Sequence, residues 1–109
     1  MSVQQASRLR VSLPQQRLAA FARKWRIAEL AVFGSALTDD FAADSDVDFL
    51  VTFARGASWG LLDLGCMEWE LGEIVGRSAD LVERAAVEAS ENYLRRRHIL
   101  RNLEIVYVV

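Results

Sequence analysis

Two aspartates separated by a single residue, Asp46 and Asp48, are the side chains of this sequence best suited to metal chemistry. They stand at the start of the apolar segment Val47–Phe53, whose β-branched and aromatic residues predict a strand. Because alternate side chains of a strand point to the same face, we expect the two carboxylates to lie side by side. Hard divalent cations such as Mg²⁺ are held by one or two carboxylates together with substrate phosphates. The pair therefore predicts a site for a metal ion and a nucleotide.

A Gly-Ser pair, Gly34 and Ser35, precedes these aspartates and could supply the phosphate-binding half of such a site. The pair ends the apolar run Ile27–Phe33, which we predict to be the first and central strand. Glycine lets a ligand approach the backbone closely, and a helical turn starting near Ser35 would offer its free N–H groups to a triphosphate. Taken alone, the Gly-Ser pair could be an ordinary turn, and Asp-x-Asp could be two solvated aspartates. Their combination, Gly-Ser followed after ten residues by Asp-x-Asp, is far more specific.

The combined motif resembles the signature of the DNA polymerase β-like nucleotidyltransferase superfamily. The short length is similar to that of its minimal nucleotidyltransferases (MNT), the antitoxins of HEPN/MNT toxin–antitoxin pairs, and the similarity covers residues 30–109. The resemblance implies a polymerase β palm-like nucleotidyltransferase fold of class α/β (α+β by some conventions), a small mixed sheet with helices packed mainly on one face. It also implies that Asp80, in the pattern Gly-Arg-x-x-Asp-Leu-Val, is a third carboxylate on a strand adjacent to Asp46 and Asp48. The alternative is that Asp80 merely begins a strand.

The resemblance further implies a reaction and its participants. Two Mg²⁺ ions would bridge Asp46, Asp48 and the phosphates of ATP, while Asp80 shares one metal ion and helps to deprotonate the attacking hydroxyl. Gly34 and Ser35 would hold the outer phosphates. The implied product is a protein hydroxyl that carries AMP. Its implied acceptor is a tyrosine of a cognate HEPN RNase toxin, which would be the partner in a hetero-oligomer. The choice of ATP comes from the resemblance alone.

One position departs from the superfamily pattern and leaves other functions open. Members often carry an arginine three residues after the serine, and here that position is Thr38. The departure leaves room for a weakened enzyme, so a second interpretation is a non-catalytic antitoxin that neutralises its toxin by occlusion. A third is a nucleotidyltransferase acting on a small molecule or an RNA end. That function usually needs an additional substrate domain, for which 109 residues leave no room.

The composition predicts one domain with a protein partner. We expect a single domain at residues 1–109, with residues 1–11 as a loose N-terminal arm. Adding the six glycines to the 52% hydrophobic residues gives roughly 58%, against about 45–50% for ordinary domains. The surplus apolar surface indicates contact with another protein or with a second copy of this chain. Candidate contacts are Trp59, Trp69 and the basic residues Arg95, Arg96 and Arg97, although core tryptophans and a solvated helix are the simpler interpretation.

Charge and single-residue counts argue against several other functions. A net charge of −2 argues against a DNA-binding protein, because neutralising phosphates needs a basic face. No apolar run approaches the roughly 18 residues of a membrane span, and the N-terminus lacks a signal-peptide core, so we expect a cytoplasmic protein. Cys66, the only cysteine, is expected to be buried in a helix. The only histidine, His98, has no neighbour with which to build a zinc site.

The remaining periodicities predict four helices and two further strands. Helical spacing of apolar residues predicts helices through residues 18–25, 37–41, 59–75 and 88–101. Ser58 is expected to cap the third of these helices and Gly76 to end it. Short apolar runs predict strands at residues 78–82 and 105–109.

Overall fold

The computed structural model describes residues 9–109, which form four strands, four helices and one 3₁₀ turn. Their order along the chain is α1 (Gln15–Lys24), β1 (Ile27–Phe33), the 3₁₀ turn (Gly34–Leu37), β2 (Val47–Phe53), α2 (Leu61–Val75), β3 (Ala79–Glu83), α3 (Arg84–Glu88), α4 (Tyr93–Arg101) and β4 (Leu103–Val108). None of these helices is long and apolar enough to cross a membrane.

The four strands form one mixed sheet in the order β3-β2-β1-β4. β1 runs antiparallel to both β2 and β4, whereas β2 and β3 are parallel. A parallel pair needs a crossover connection, and α2 provides it. The register places Asp48 opposite Phe33 on one side and opposite Asp80 on the other, so the strand ends that carry the motifs meet at one edge. The predicted α/β fold with a small mixed sheet is confirmed.

The larger hydrophobic core lies between the sheet and the two longest helices, α1 and α2. β2 sends Val47, Phe49 and Val51 into it, and all three are fully buried, in agreement with the predicted alternation. Leu18 of α1 and Leu71 of α2 meet them from the other side and are equally buried. Burial of these side chains is the main source of stability that positions the strands.

A smaller cluster lies on the opposite face of the sheet, beneath α3 and α4. It joins Ala31, Phe33, Leu50, Val87 and Ile99. Leu50 belongs to β2, so this strand contributes to both clusters through alternate residues. Helices therefore cover both faces of the sheet, with the larger core beneath α1 and α2.

The first described residues pack against the sheet and its helices. Leu9, Val11 and Leu13 contact the larger core, and the Arg10 backbone N–H donates to the carbonyl oxygen of Ala36 (2.8 Å). The loose arm predicted for residues 1–11 is therefore wrong for residues 9–11, because their apolar side chains gain burial against the core. Residues 1–8 lie outside the described part of the chain.

Two predicted helices differ from the structure. In place of the helix predicted at residues 37–41, the 3₁₀ turn ends where the hydroxyl of Thr38 donates to the carbonyl oxygen of Ser35 (3.0 Å). The helix predicted at residues 88–101 is interrupted: α3 ends at Glu88, and the side-chain oxygen of Asn92 accepts the N–H of Arg95 (3.1 Å) to start α4. Local side-chain bonds of this kind compete with continuation of a helix.

The start of α2 and the environment of its cysteine also differ from expectation. Gly60 rather than Ser58 precedes α2, and the Asp63 carboxylate accepts the Gly60 N–H (2.9 Å). Gly76 ends α2 as predicted, with a φ of 73° in the left-handed region. The predicted burial of Cys66 is wrong, because this side chain lies off the stripe of α2 that meets the core and is exposed.

Candidate active site

Gly34 follows β1 directly and brings the two sequence motifs into contact. Its φ of 79° lies in the left-handed region that favours glycine. A Cβ placed on Gly34 would overlap Oδ2 of Asp48, so only a residue without a side chain lets this carboxylate lie against the turn. The Gly-Ser motif and the Asp-x-Asp motif therefore meet in the folded chain.

The turn after Ser35 is closed by bonds within the loop. The backbone N–H and the hydroxyl of Thr38 both donate to the carbonyl oxygen of Ser35, at 2.9 and 3.0 Å. The hydroxyl oxygen of Thr38 also accepts the N–H of Asp40 (3.2 Å). Thr38 thus stabilises the loop as a neutral side chain and adds no positive charge beside the turn.

Arg77 fixes the loop that leads to Asp46. Its Nη1 donates to the carbonyl oxygens of Ala42 (2.8 Å), Ala43 (3.2 Å) and Ser45 (3.3 Å). In the sequence Arg77 stands out only as part of the pattern around Asp80, which does not predict this positioning role. No local signal could have revealed it, because the bonded residues are 32 to 35 positions apart.

Asp48 and Asp80 are direct neighbours in the parallel ladder of β2 and β3. Paired residues of adjacent strands share a face of the sheet, so the two carboxylates lie beside each other. The outer edge of β3 is secured by α2, since the N–H of Leu81 donates to Oε2 of Glu68 (2.8 Å). Asp46 precedes β2 and is exposed, whereas Asp48 is partly buried.

The pKa of the Asp48 carboxyl is raised from its ordinary value of 3.8 to about 6. Burial is the largest cause, because it removes water from the charged form. Asp80 adds charge repulsion and a hydrogen bond between the two carboxyls, and Asp46 adds further repulsion. We call Gly34, Asp46, Asp48 and Asp80 the acidic corner. Three carboxylates are thus concentrated at this corner of the sheet.

The residues of the acidic corner fit a divalent cation. Within residues 9–109, no three His, Cys, Asp or Glu side chains surround a common point as a preformed metal cage. Mg²⁺ does not need such a cage, because it takes one or two carboxylates and completes its shell with water and substrate phosphates. The adjacent Asp48 and Asp80 carboxylates repel each other, and a cation between them would turn that repulsion into attraction.

A cavity of about 340 Å³ adjoins the 3₁₀ turn. It is lined by residues of the turn and loop and by the end of α4: Gly34, Ser35, Leu37, Thr38, Asp40, His98 and Asn102. His98 and Asn102 were not predicted to lie here, because only tertiary packing brings the end of α4 to this turn. A larger cavity of about 540 Å³ lies between α2 and β3, but none of the three aspartates lines it, so size alone does not locate the chemistry.

The structure brings the predicted site residues to one corner of the sheet. Gly34, Asp48 and Asp80 are in direct contact or adjacent, and Asp46 is close enough to act on the charge of Asp48. Ser35 lies next to Gly34 and faces the neighbouring cavity. The arrangement can place a polyphosphate beside carboxylates whose chemistry suits a divalent cation.

Comparison with known proteins places the chain among nucleotidyltransferases. A protein of Methanocaldococcus jannaschii, named as a candidate protein adenylyltransferase, is 36% identical over 59 residues, which are 54% of this chain and 61% of that protein. The match thus spans less than two thirds of the relative's length.

Two solved structures share the fold. One, from a toxin–antitoxin crystal structure with AMP-PNP, superposes with a TM-score of 0.67 at 15% identity, covering 89% of this chain and 75% of that one. The other, from a complex of a tri-AMPylated Shewanella oneidensis HEPN toxin with an MNT antitoxin, has a TM-score of 0.59 at 14% identity and covers 87% and 70% of the two chains.

The family assignment rests on a sequence-family model described as "Nucleotidyltransferase domain", which matches residues 15–105. That span contains the Gly-Ser turn, the three aspartates and every strand of the sheet except the end of β4. This chain therefore belongs to the nucleotidyltransferase domain family.

Proposed function

We propose that this chain is a Mg²⁺-dependent nucleotidyltransferase that transfers AMP from ATP to a hydroxyl of a partner protein. The observation that carries the proposal is the pairing of Asp48 with Asp80 against the Gly34 turn. Such a corner suits the cation and the phosphates of a nucleotide at once. The M. jannaschii relative, a candidate protein adenylyltransferase, supports this class of reaction, although the match covers only part of it.

In the proposed site, different residues bind the metal ion, bind the phosphates and accept the proton. Asp46, Asp48 and Asp80 hold Mg²⁺, which when bound offsets charge on the phosphates and favours deprotonation of the attacking hydroxyl. Gly34 and Ser35 bind the outer phosphates through backbone N–H groups and the serine hydroxyl. The acceptor oxygen forms a bond to the α-phosphorus as the bond from that phosphorus to the bridging oxygen breaks, and pyrophosphate leaves. The Asp80 carboxylate accepts the proton of the attacking hydroxyl.

We propose a HEPN toxin as the partner and a tyrosine of that toxin as the acceptor. Both structural neighbours come from toxin–antitoxin complexes, and one contains an AMPylated HEPN toxin with an MNT antitoxin. A chain that acts as one domain can use a protein substrate, because such a substrate brings its own binding surface. Exposed apolar side chains on α2 offer a contact surface: Leu61 is 86% exposed, Leu62 88% and Trp69 68%.

Trp69 is a better candidate than Trp59 for a partner contact. The indole N–H of Trp59 donates to the carbonyl oxygen of Trp25 (3.0 Å), and the two rings pack edge to face at 5.0 Å. Trp59 therefore has a structural role inside the chain. Trp69 lies on the outer surface of α2 and is mostly exposed.

Labelled ATP tests the proposed reaction. The purified chain is incubated with Mg²⁺ and lysate of the source cells, with ATP labelled in parallel at the α- or the γ-phosphate. Transfer of AMP predicts a labelled protein band with the α label and none with the γ label, because the γ-phosphate leaves in pyrophosphate. The matched control is Asp46→Asn with Asp48→Asn. Equal labelling by this variant would contradict the proposed role of the aspartates.

A non-catalytic antitoxin is the second candidate, favoured by one observation. Thr38 supplies a neutral hydroxyl that is used within the loop, where superfamily members often have an arginine. Co-expression with a HEPN partner and intact mass spectrometry of the purified complex separate the two functions. An added AMP mass on a partner tyrosine supports the enzyme, and a stable complex without added mass supports occlusion.

A further inference from the structure

The last turn of α4 and the Gly-Ser turn line the same cavity. His98 and Asn102 come from the end of α4, and Gly34, Ser35 and Thr38 come from the opposite side. The cavity of about 340 Å³ falls at the lower end of the range typical of small-ligand pockets. A phosphate chain held at Gly34 and Ser35 would thus have the end of α4 as a wall.

Among the described residues that line this cavity, His98 is the one whose side chain can become positively charged. Of the residues that line it, Asp40 is acidic and the others are neutral. Arg10, the basic residue nearest this loop in the described ion pairs, is bonded to Asp39 instead. A polyphosphate carries several negative charges and needs hydrogen-bond donors, and charged donors give the stronger bonds. Of the described side chains that line the cavity, the imidazole of His98 is therefore the candidate donor to a phosphate.

Asn102 orients the imidazole of His98 for such a bond. Its Nδ2 donates to the backbone carbonyl oxygen of His98 (2.8 Å) and lies 3.4 Å from Nδ1 of the ring. An amide N–H directed at Nδ1 makes that nitrogen an acceptor, which leaves the ring proton on Nε2. The ring then presents an N–H donor at Nε2.

We propose that His98 binds the outer phosphates of a nucleoside triphosphate seated at Gly34 and Ser35, donating a hydrogen bond from Nε2, and that Asn102 is a positioning residue for this ring. The assignment rests on the proposed function, because it takes the Gly-Ser turn as the phosphate site. It deepens that function by giving the chain selectivity for a triphosphate over a monophosphate. It also supplies a ring N–H donor from α4 at a site where the Thr38 hydroxyl is used within the loop.

The single histidine of this chain gives a direct spectroscopic test. Because only one imidazole is present, its ring signals in a ¹H–¹⁵N spectrum need no assignment by mutation. We expect these signals to shift on addition of AMP-PNP with Mg²⁺ and to stay in place on addition of AMP, which lacks the outer phosphates. In the free protein the ¹⁵N shifts should report a proton on Nε2, and Asn102→Ala should weaken that preference.

Binding measured by calorimetry supplies the quantitative test. We expect His98→Ala to weaken AMP-PNP binding about three- to tenfold, as for the loss of one partly exposed hydrogen bond, with AMP binding unchanged. His98→Lys should retain most of the affinity. The matched control is Arg97→Ala, which removes a charge from the same helix. Its side chain is exposed, bonds the hydroxyl of Tyr93 and does not line the cavity.

The outcomes separate this inference from the proposed function. AMP-PNP could bind and shift the amide signals of Gly34 and Ser35 while the ring signals of His98 stay in place and His98→Ala binds AMP-PNP as tightly as the wild type does. That result would overturn this inference and leave the proposed function standing. If the wild type binds no AMP-PNP, both are overturned. If Arg97→Ala weakens AMP-PNP binding as much as His98→Ala does, the inference about His98 is also overturned. The loss of affinity would then follow from removing any positive charge from α4.

Discussion

The two faces of β2 differ in what they contribute to the molecule. One face sends Val47, Phe49 and Val51 into a dry core. The other begins with Asp48, whose partly buried carboxyl lies beside Asp80 and against Gly34. The first face lowers the free energy of the folded state. On the second face Leu50 is buried in the smaller cluster, but the charge of Asp48 raises the free energy of the folded state at neutral pH. A single strand therefore carries part of a stabilising core and, at one end, a carboxylate that is unfavourable while it is charged.

The contrast explains why the acidic corner is built where it is. Among residues 9–109 there is no buried polar or charged residue, so the core contributes nothing that could react. The charges lie at the edge where three strand ends meet, and the core behind them holds these ends in register. Truncating a core side chain and neutralising Asp48 should therefore have opposite effects on stability.

Phe49→Ala should have the largest effect. Phe49 is fully buried, and truncating such an aromatic side chain costs about 3–5 kcal/mol of the free energy of unfolding. Urea denaturation followed by circular dichroism measures it. The control is Ile105→Ala on β4, where the side chain is 50% exposed and the loss should be well below that of Phe49→Ala. Equal losses at the two positions would contradict the assignment of the core.

Gly34→Ala should lower stability by about 2 kcal/mol, because an L-residue is strained at a positive φ and the added Cβ meets Asp48. It should also abolish binding of AMP-PNP with Mg²⁺. Gly65→Ala is the matched control: its Cβ would have nothing within 4 Å, and alanine inside a helix is favoured over glycine by up to about 1 kcal/mol. Retained nucleotide binding by Gly34→Ala would show that the turn is not the phosphate site.

Asp48→Asn should raise the free energy of unfolding at pH 7 by about 1 kcal/mol, after allowance for solvent screening of a partly exposed group. The raised pKa means that the folded chain binds more protons than the unfolded chain between pH 3.8 and about 6. Wild-type stability therefore falls as the pH rises through this window. The gain from the variant should be present at pH 7 and absent below pH 3.8. A gain that does not depend on pH would contradict the charge explanation.

Glu70→Gln should have the smallest effect and the opposite sign. Burial acts to raise the pKa of this carboxyl, but bonds from Lys24 and from the indole N–H of Trp25 lower it overall. A lowered pKa contributes stability above the ordinary value of 4.5, and this contribution is lost as the pH falls. We expect a loss of about 0.5 kcal/mol at pH 7 that shrinks in acid. Thermal unfolding at pH 7 and pH 4 measures both values, and a gain at pH 7 would contradict this explanation.

The part of the site that follows from local pattern could be predicted from the sequence. Alternation along Val47–Phe53 placed Asp48 on the face away from the core, and the glycine after β1 marked the turn. The fold class followed from the same strands and from the resemblance to nucleotidyltransferases. These features depend on neighbours in the chain, which a sequence shows directly.

The remaining features depend on contacts between distant residues. The resemblance implied that Asp80 lies near Asp48, but no local pattern shows the parallel pairing of β2 and β3 on which this depends. The hydrogen bonds of Arg77 likewise require the loop before β2 to fold back. His98 lines the cavity beside the turn only because Ile99 of α4 packs in the same cluster as Phe33, the last residue of β1. The interruption before α4 was local and could have been found, since Asn92 is a strong capping residue.

The free energy of unfolding with and without AMP-PNP and Mg²⁺ tests the central claim most directly, namely that the acidic corner is a metal-and-nucleotide site. In metal-free buffer at pH 7, Asp46→Asn with Asp48→Asn should be at least as stable as the wild type. At a hundred times the dissociation constant, AMP-PNP with Mg²⁺ should stabilise the wild type by about 2.7 kcal/mol and leave the double variant unchanged. A double variant that is less stable in metal-free buffer and gains as much from the ligand would contradict the account.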